Sequence, residues 1–485
     1  MHQATESRRD GYGIPEIEDL GMITRRVFGQ LSGLAAGSAL LSPAMRAATT
    51  PDIALEIAPY TLEASPKHHF RTLAYNGQIP GPLFRMRQGQ EQTVEIRNMS
   101  SEPEVVHWHG LFLPPAIDGA MEEGTPMIAA GGTVRYNLNP DPVGFRWFHT
   151  HTFAGKDLTK AQYGGLHGFV LIDPLGPLDP LGPFDPLAPR DAPAAYDREV
   201  FLALHDWGGH FEGGDDGFMN PVYDVSTING KMLGFGEPVR VKRGERVMMH
   251  MLNSSPTEVH WIALAGHRFQ VVALDGNVVP QPQTVEMLRI APAERVSAVV
   301  EMKAPGKWVL GEVRKHIQSA GMGIVVEYAG ATGSPAWTQP EKLIWSYRQF
   351  ASADEIQANG NEATRIELRF DSKFEGHGSE ESWRINGKSY PDTEEPLLKN
   401  GERYRLVMKN ESMDDHPMHL HRHTFEVRQV DGSAEMRGLR KDVVLVPAKS
   451  TAEVEFVADH PGRTLFHCHQ QDHMDRGFMM VFRYA

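Results

Sequence analysis

Cysteine is almost absent: one residue in 485. A disulfide within the chain is therefore excluded, even in a compartment that permits one. Long hydrophobic runs are missing as well, and with 41% hydrophobic residues spread in short segments no stretch reads as a bilayer-spanning helix. Positive charge is in deficit, with 48 Lys and Arg against 62 Asp and Glu and a formal net charge of −14. An acidic surface argues against nucleic acid or anionic lipid as a partner. No long methionine-rich insertion is present either. What remains is a chain long enough for about three domains, on the usual prior of roughly 150 residues each.

The lone cysteine stands between two histidines, His467-Cys468-His469, with His473 four residues further on. In an extended strand alternate side chains face opposite ways, so His467 and His469 share one side and Cys468 takes the other. One short segment can then reach two metal sites. Three more clusters accompany it: His107-Trp108-His109-Gly110, Phe148-His149-Thr150-His151, and His416-Pro417-Met418-His419-Leu420-His421. A single His-x-His pair is as readily a surface or hydrogen-bonded core feature. Four clusters with a thiolate exceed the needs of any one zinc site and point to copper.

The chain repeats itself at domain-sized intervals. Asn76-Gly77, Asn229-Gly230 and Asn386-Gly387 each precede a glycine that opens a strand-like run, at Gly89, Gly244 and Gly401. Short β-branched and aromatic runs broken by Gly, Pro and Asn predict strands and turns throughout. The expectation is an all-β chain of three β-sandwich domains, over residues 49–173, 196–330 and 331–485. A proline-rich stretch at 174–195, beginning near Asp173-Pro174-Leu175-Gly176-Pro177, reads as a stiff spacer between the first two.

The repeat separates metal-binding copies from an empty one. Asn98 lies nine residues before His107 and Asn410 nine before His419. The middle copy offers Val259-His260-Trp261, with Ile262 where a further histidine is needed. Gly144 and Gly462 precede His149 and His467 by five residues, so Thr150 stands in the first domain where Cys468 stands in the third. The middle domain has Pro305-Gly306-Lys307-Trp308-Val309-Leu310 there and no histidine pair.

Residues 1–48 predict a twin-arginine-type export leader: Thr24-Arg25-Arg26-Val27-Phe28, a mildly apolar run, then small residues around Ala44 to Ala48. Met22 is an alternative start. Its five acidic and five basic side chains up to residue 50 cancel, so the mature protein keeps its acidic charge. A signal peptide of this kind implies a periplasmic or secreted protein with no stable membrane insertion after export.

With all four motifs in order and the match running through everything after the leader, the chain resembles the multicopper oxidases, in particular the three-domain, laccase-like bacterial members. The resemblance implies three consecutive cupredoxin-like Greek-key sandwiches and four copper ions per chain. It implies that His416, Cys468 and His473 hold a type 1 copper, His107 and His419 a type 2 copper, and His109, His149, His151, His421, His467 and His469 a type 3 pair. The activity implied is one-electron oxidation of a reducing substrate at the type 1 copper, coupled to four-electron reduction of dioxygen to water at the trinuclear cluster. Cys468 and its two neighbouring histidines would carry the electrons between them.

By the family's spacing the axial position of the type 1 site falls on Phe478, which cannot coordinate. Loss of a weak axial donor is expected to raise the reduction potential. Asp118, in Ile117-Asp118-Gly119, resembles the family's proton-relay acid. Met474 stands where bacterial members often carry a second acid, leaving Asp472 and Asp475 as the nearest substitutes. His423 continues the alternation beyond His421 without matching a ligand position, and a hydrogen-bonded core role is expected for it.

Substrate is less legible. Phenols and aromatic amines suit a high-potential laccase. A metallo-oxidase acting on Cu(I) or Fe(II), and serving copper tolerance, is the competing reading, since Asp414 and Asp415 precede His416. A non-enzymatic periplasmic scaffold of the same fold is the alternative of another class, which the intact ligand set opposes.

Overall fold

The computed structural model describes residues 50–175, 195–213, 219–352, 363–373 and 382–485. The expected leader and residues 176–194 of the expected spacer lie outside them. Strands dominate, in three successive pairs of sheets and a two-stranded ribbon of His210–Gly213 with Met219–Val222. The first pair orders His68–Tyr75, Ile53–Ser65, Gln92–Asn98 and Thr133–Leu138 in one sheet, and Leu83–Arg87, His167–Asp173, Gly144–Thr150 and Val106–His107 in the other. The second and third pairs each contain a six-stranded and a five-stranded sheet. Among the described residues no helix is long and apolar enough to cross a membrane.

Side-chain alternation builds the sandwiches. Ile53, Leu55 and Ile57 point inward while Ala54 and Glu56 are exposed, and Val94 and Ile96 meet them from the parallel neighbour. Phe148, Val170 and Ile172 close this core from the opposite sheet. Each fully buried aliphatic or aromatic side chain contributes roughly 1.5–3 kcal/mol of transfer free energy. The histidine-bearing strands break the alternation: every residue of Gly144–Thr150, His416–Leu420 and Thr464–Cys468 is buried. Both faces of these strands are covered, one by the domain's own core and one by the neighbouring domain.

The threefold repeat has a physical basis in two asparagine locks. Asn76, Asn229 and Asn386 adopt φ of 50°, 52° and 54°, and glycines with φ of 67°, 73° and 79° follow them. This left-handed pair is what a tight hairpin turn demands. Each Asn Oδ1 accepts from the backbone N–H of Glu56, Ala203 or Arg369 at 2.6, 2.7 and 2.8 Å. Further on, Asn98, Asn253 and Asn410 donate through Nδ2 to Ile128, Ile290 and Val446 carbonyls, and their Oδ1 atoms accept from the N–H of Ser100, Ser255 and Ser412.

The middle copy departs at this second lock. Asn98 and Asn410 also donate to the carbonyl four residues on, at Glu102 and Asp414, whereas Asn253 reaches Glu258, five residues on. One extra residue in the turn shifts the register that simple counting gives. Ala263, not Ile262, pairs with Gly311 as His419 pairs with His467 and His107 with His149. His260 pairs with Ile290 as His416 does with Val446, so it is the counterpart of His416. The middle sandwich therefore carries alanine and glycine where the others carry imidazole.

Candidate metal centres

Eight histidines meet between the first and third sandwiches, and none is more than 1% exposed. His109 stacks on His419 with ring centroids 3.8 Å apart, and His107 on His421 at 4.0 Å, so each pair joins the two domains. The outward nitrogens are fixed. His107 Nδ1 lies 2.8 Å from the Asp118 carbonyl, His149 Nδ1 2.7 Å from that of Thr150, His419 Nδ1 2.7 Å from that of Asp442, and His467 Nδ1 2.9 Å from that of Cys468. His421 Nδ1 donates to Asp118 Oδ2 at 2.9 Å. His109 is reversed, with Nε2 3.2 Å from Asp442 Oδ1.

These anchors leave the inward nitrogens to face one another. His107 Nε2, His149 Nε2, His419 Nε2 and His109 Nδ1 are buried without a hydrogen-bond partner. His467 Nε2 lies 3.1 Å from His421 Nε2 and 3.5 Å from His151 Nε2. Burial holds His109, His149, His151, His419, His421, His467 and His469 well below the usual histidine range, so these rings are neutral and offer lone pairs. A nest of converging buried lone pairs is costly unless a cation fills it. Outer nitrogens tied to carbonyls and carboxylates are what metal-ligating histidines show. The residues fit a metal cluster.

Asp442 is the support that the sequence patterns did not reveal. Its carboxylate accepts from Arg295 at 2.6 Å on each oxygen and from Arg146 at 3.2 Å. All three side chains are fully buried. Arg295 comes from the middle sandwich, so that domain supports His109 through Asp442. Gly110 leaves room for this: a Cβ there would lie 2.6 Å from Asp442 Oδ2. Glu123 was also missed. It sits 3.5 Å from His421 Nδ1 and 3.2 Å from Arg422 Nε, and its carboxylate accepts from the Leu465 N–H. The available signal was a charged pair, Lys441-Asp442, running directly into the apolar strand Val443–Val446.

A second site lies on the far side of Cys468. His416 Nδ1 and His473 Nδ1 are 3.2 Å apart, and Cys468 Sγ is 3.8 and 3.6 Å from them. A trigonal plane with bonds of about 2.0 Å to nitrogen and about 2.3 Å to sulfur would space its donors by ~3.5 and ~3.7 Å. The triangle therefore fits one metal ion. Burial lowers His416 to about 3 and pushes the Cys468 thiol up, so a cation is needed to draw off the thiol proton.

The wall of this site is aromatic. Phe478 is fully buried with its ring 4.7 Å from that of His416. Trp383 lies 4.1 Å from the His473 ring and 4.9 Å from that of His416. Met479 pairs with His467 across the sheet and packs with Ala120, Leu465 and Met474, away from the Cys468 core.

The expected acids part company. Asp118 touches the histidine cluster. Asp472 is on the short helix Gln471–Asp475, where its carboxylate pairs with Arg476 at 3.0 Å and burial raises it to about 6. None of its described partners is a cluster histidine. Asp475 caps the backbone of Ala154 and Gly155. His423 bonds to the His421 carbonyl and the Tyr484 hydroxyl, a core role.

Three paired β-sheet sandwiches with a histidine cage and a Cys–His₂ site define a multi-site copper protein of the cupredoxin type. Profiles described as multicopper oxidase match residues 57–176, 203–326 and 337–485, and the chain belongs to the multicopper oxidase family. It is 29% identical over 445 residues to the multicopper oxidase MmcO of Mycobacterium tuberculosis, covering 84% of this chain and 82% of that one. It is 26% identical to a laccase of Phlebia radiata, covering 84% of each. Among solved structures, Fet3p, a multicopper oxidase that functions in iron import, superposes with a TM-score of 0.73 at 19% identity, covering 89% of this chain and 90% of that one.

Proposed function

We propose that this oxygen-using, laccase-like copper oxidoreductase acts on phenols and aromatic amines. The supporting observation is that two acids beside the Cys–His₂ site, Asp472 and Asp415, already have partners. Asp472 is neutralised by Arg476, and Asp415 Oδ1 accepts from the Ala448 N–H at 2.9 Å. A site built to capture Fe(II) would offer carboxylates free to meet the cation, whereas Cu(I) is met by soft thioether donors, and no long methionine-rich insertion supplies them.

Four copper ions are assigned to the donor sets. His416, Cys468 and His473 would hold a type 1 copper, with the non-coordinating Phe478 ring packed beside His416, and His107 and His419 a type 2 copper. His151, His421 and His467 would hold one ion of a type 3 pair, and His109, His149 and His469 the other. Copper, when bound, supplies one-electron oxidation of the substrate and four-electron reduction of dioxygen to water.

The chain's own residues supply connection and protons. Cys468 is joined by peptide bonds to His467 and His469, so a continuous covalent path links the two sites. Asp118 Oδ2, bonded to His421 Nδ1, is placed to pass protons into the cage. Burial together with the charge of Asp118 pushes Glu123 up from the usual carboxylate range, against the pull of Arg422, beside the same nitrogen. Export through the twin-arginine-type leader would place the protein in the periplasm or outside the cell.

Oxygen uptake by copper-loaded protein tests the reading, with kcat/KM for a methoxyphenol set against that for chelator-buffered Cu(I) and for Fe(II). Preference for the phenol is expected. Preference for either metal ion would make this a metallo-oxidase, and absence of a blue thiolate-to-copper band after loading would leave only a scaffold.

A further inference from the structure

The register equivalences place a counterpart of the Cys–His₂ site in every sandwich. Met418 pairs with Cys468, Val106 with Thr150, and Ile262 with Glu312. Two residues before the first member of each pair stand His416, Glu104 and His260. Each copy keeps a polar contact there: Cys468 with His416 at 3.8 Å, Thr150 Oγ1 donating to Glu104 Oε2 at 2.8 Å, and His260 with Glu312 at 3.1 Å.

What covers the three pairs differs. Counting back three residues from the Asn-Gly lock gives Trp383 in the third sandwich, Ser226 in the second and Leu73 in the first. Trp383 fills its space by packing on both histidines. Ser226 donates to Asp206, which fills the middle site through its bond to His260. Leu73 is shorter than tryptophan and brings no such partner. A cavity of about 580 Å³ opens in the first sandwich, lined by Leu73, Glu104, Met127, Thr152, Phe153 and Leu166 among others. That volume lies within the range of small-molecule sites.

We infer that this cavity is a binding site for a small one-ring organic amine, taken up as its ammonium ion against the carboxylate of Glu104. Glu104 as a residue is 6% exposed, and Lys160, whose charge acts on it, is already held by Glu102 at 2.5 Å. An ammonium donor would satisfy Glu104 where a carboxylate ligand would be repelled. The ring would rest on Leu73, Leu166 and the exposed Phe153, whose face suits a cation. Arg71, exposed at the mouth, and Lys160, paired with Glu102, are lining groups that favour an anion. Burial lifts Glu104 to about 7, so uptake strengthens as pH rises through neutrality and the acid ionises.

Calorimetric titration of the copper-loaded protein with benzylamine, benzyl alcohol and benzoate tests this. One benzylamine per chain is expected to bind, more tightly than either analogue and more weakly below pH 7. Glu104→Gln should weaken it at least about tenfold, as loss of a charge-assisted hydrogen bond does. Leu73→Trp, which gives the first sandwich the covering residue of the third, should abolish it. An unchanged blue band in both variants shows that they have folded and loaded copper. Undiminished binding to Glu104→Gln, preference for benzoate, or no saturable binding to the unaltered protein would each overturn the assignment.

Discussion

His109 turns its Nε2 to Asp442 at 3.2 Å, while the other cage histidines with a bonded outer nitrogen present Nδ1 outward. The reversal aims His109 Nδ1 into the cage. It depends on a carboxylate held by two arginines, one from the first sandwich and one from the second.

Asp442→Ala therefore removes an orienting group and strands two buried guanidinium ions. Breaking a buried pair in this way costs about 3–5 kcal/mol. Both the melting temperature and the copper-to-protein ratio should fall. A variant that melts lower yet keeps its full copper complement would show Asp442 to be a packing element only.

Asp118→Asn keeps a hydrogen-bond partner for His421 but removes an ionisable one. Reoxidation of the fully reduced enzyme by dioxygen should slow about a hundredfold, within the usual worth of a positioned acid. Reduction of the blue site by substrate, followed by stopped flow, should be unaffected. Equal slowing of both steps would assign Asp118 a structural role. Asp472→Asn, remote from the cage in its contacts, should leave reoxidation nearly unchanged.

Phe478→Met places a thioether beside the His416 ring, where no donor now stands. Redox titration of the blue band should give a lower potential than the unaltered protein. An unchanged or higher potential would mean that Phe478 does not occupy the axial position.

Copper-free protein should show a stability dome in pH. Burial holds His416 and His423 near 3 and His205 near 4, against about 6.5 when unfolded. The unfolded chain binds protons that these rings refuse, so stability is lost as pH falls below about 6.5, by at most about 1.4 kcal/mol per pH unit for each ring. His260 has the opposite sign. Burial opposes its charge, yet Asp206 and Glu312 carry it up to about 10. Its stabilisation is complete below the unfolded value and lost as pH rises through about 10. Melting temperatures of chelator-treated protein across this range will show either the dome or a flat profile that refutes it.

Much of this architecture was legible because it is periodic. The His-x-His pairs lie on strands, where alternation puts both rings on one side, and the Asn-Gly turns recur because each closes the same hairpin. The middle register was misjudged by one residue because a turn can lengthen without changing the residues that flank it. Asp442, Arg295, Arg146 and Glu123 have no local pattern. Asp442 and Arg295 are 147 positions apart, and only the docking of separate sandwiches brings such residues together.

The middle sandwich supports its neighbours rather than the histidine cage directly. It lends Arg295 as the counter-ion of a carboxylate in its neighbour, and the close approach of Gly144 to the Gly276 carbonyl leaves no space for a side chain between them. A shortened two-sandwich version of this protein would therefore inherit an acidic residue with half its cations gone. Any attempt at minimising the chain has to begin by neutralising position 442.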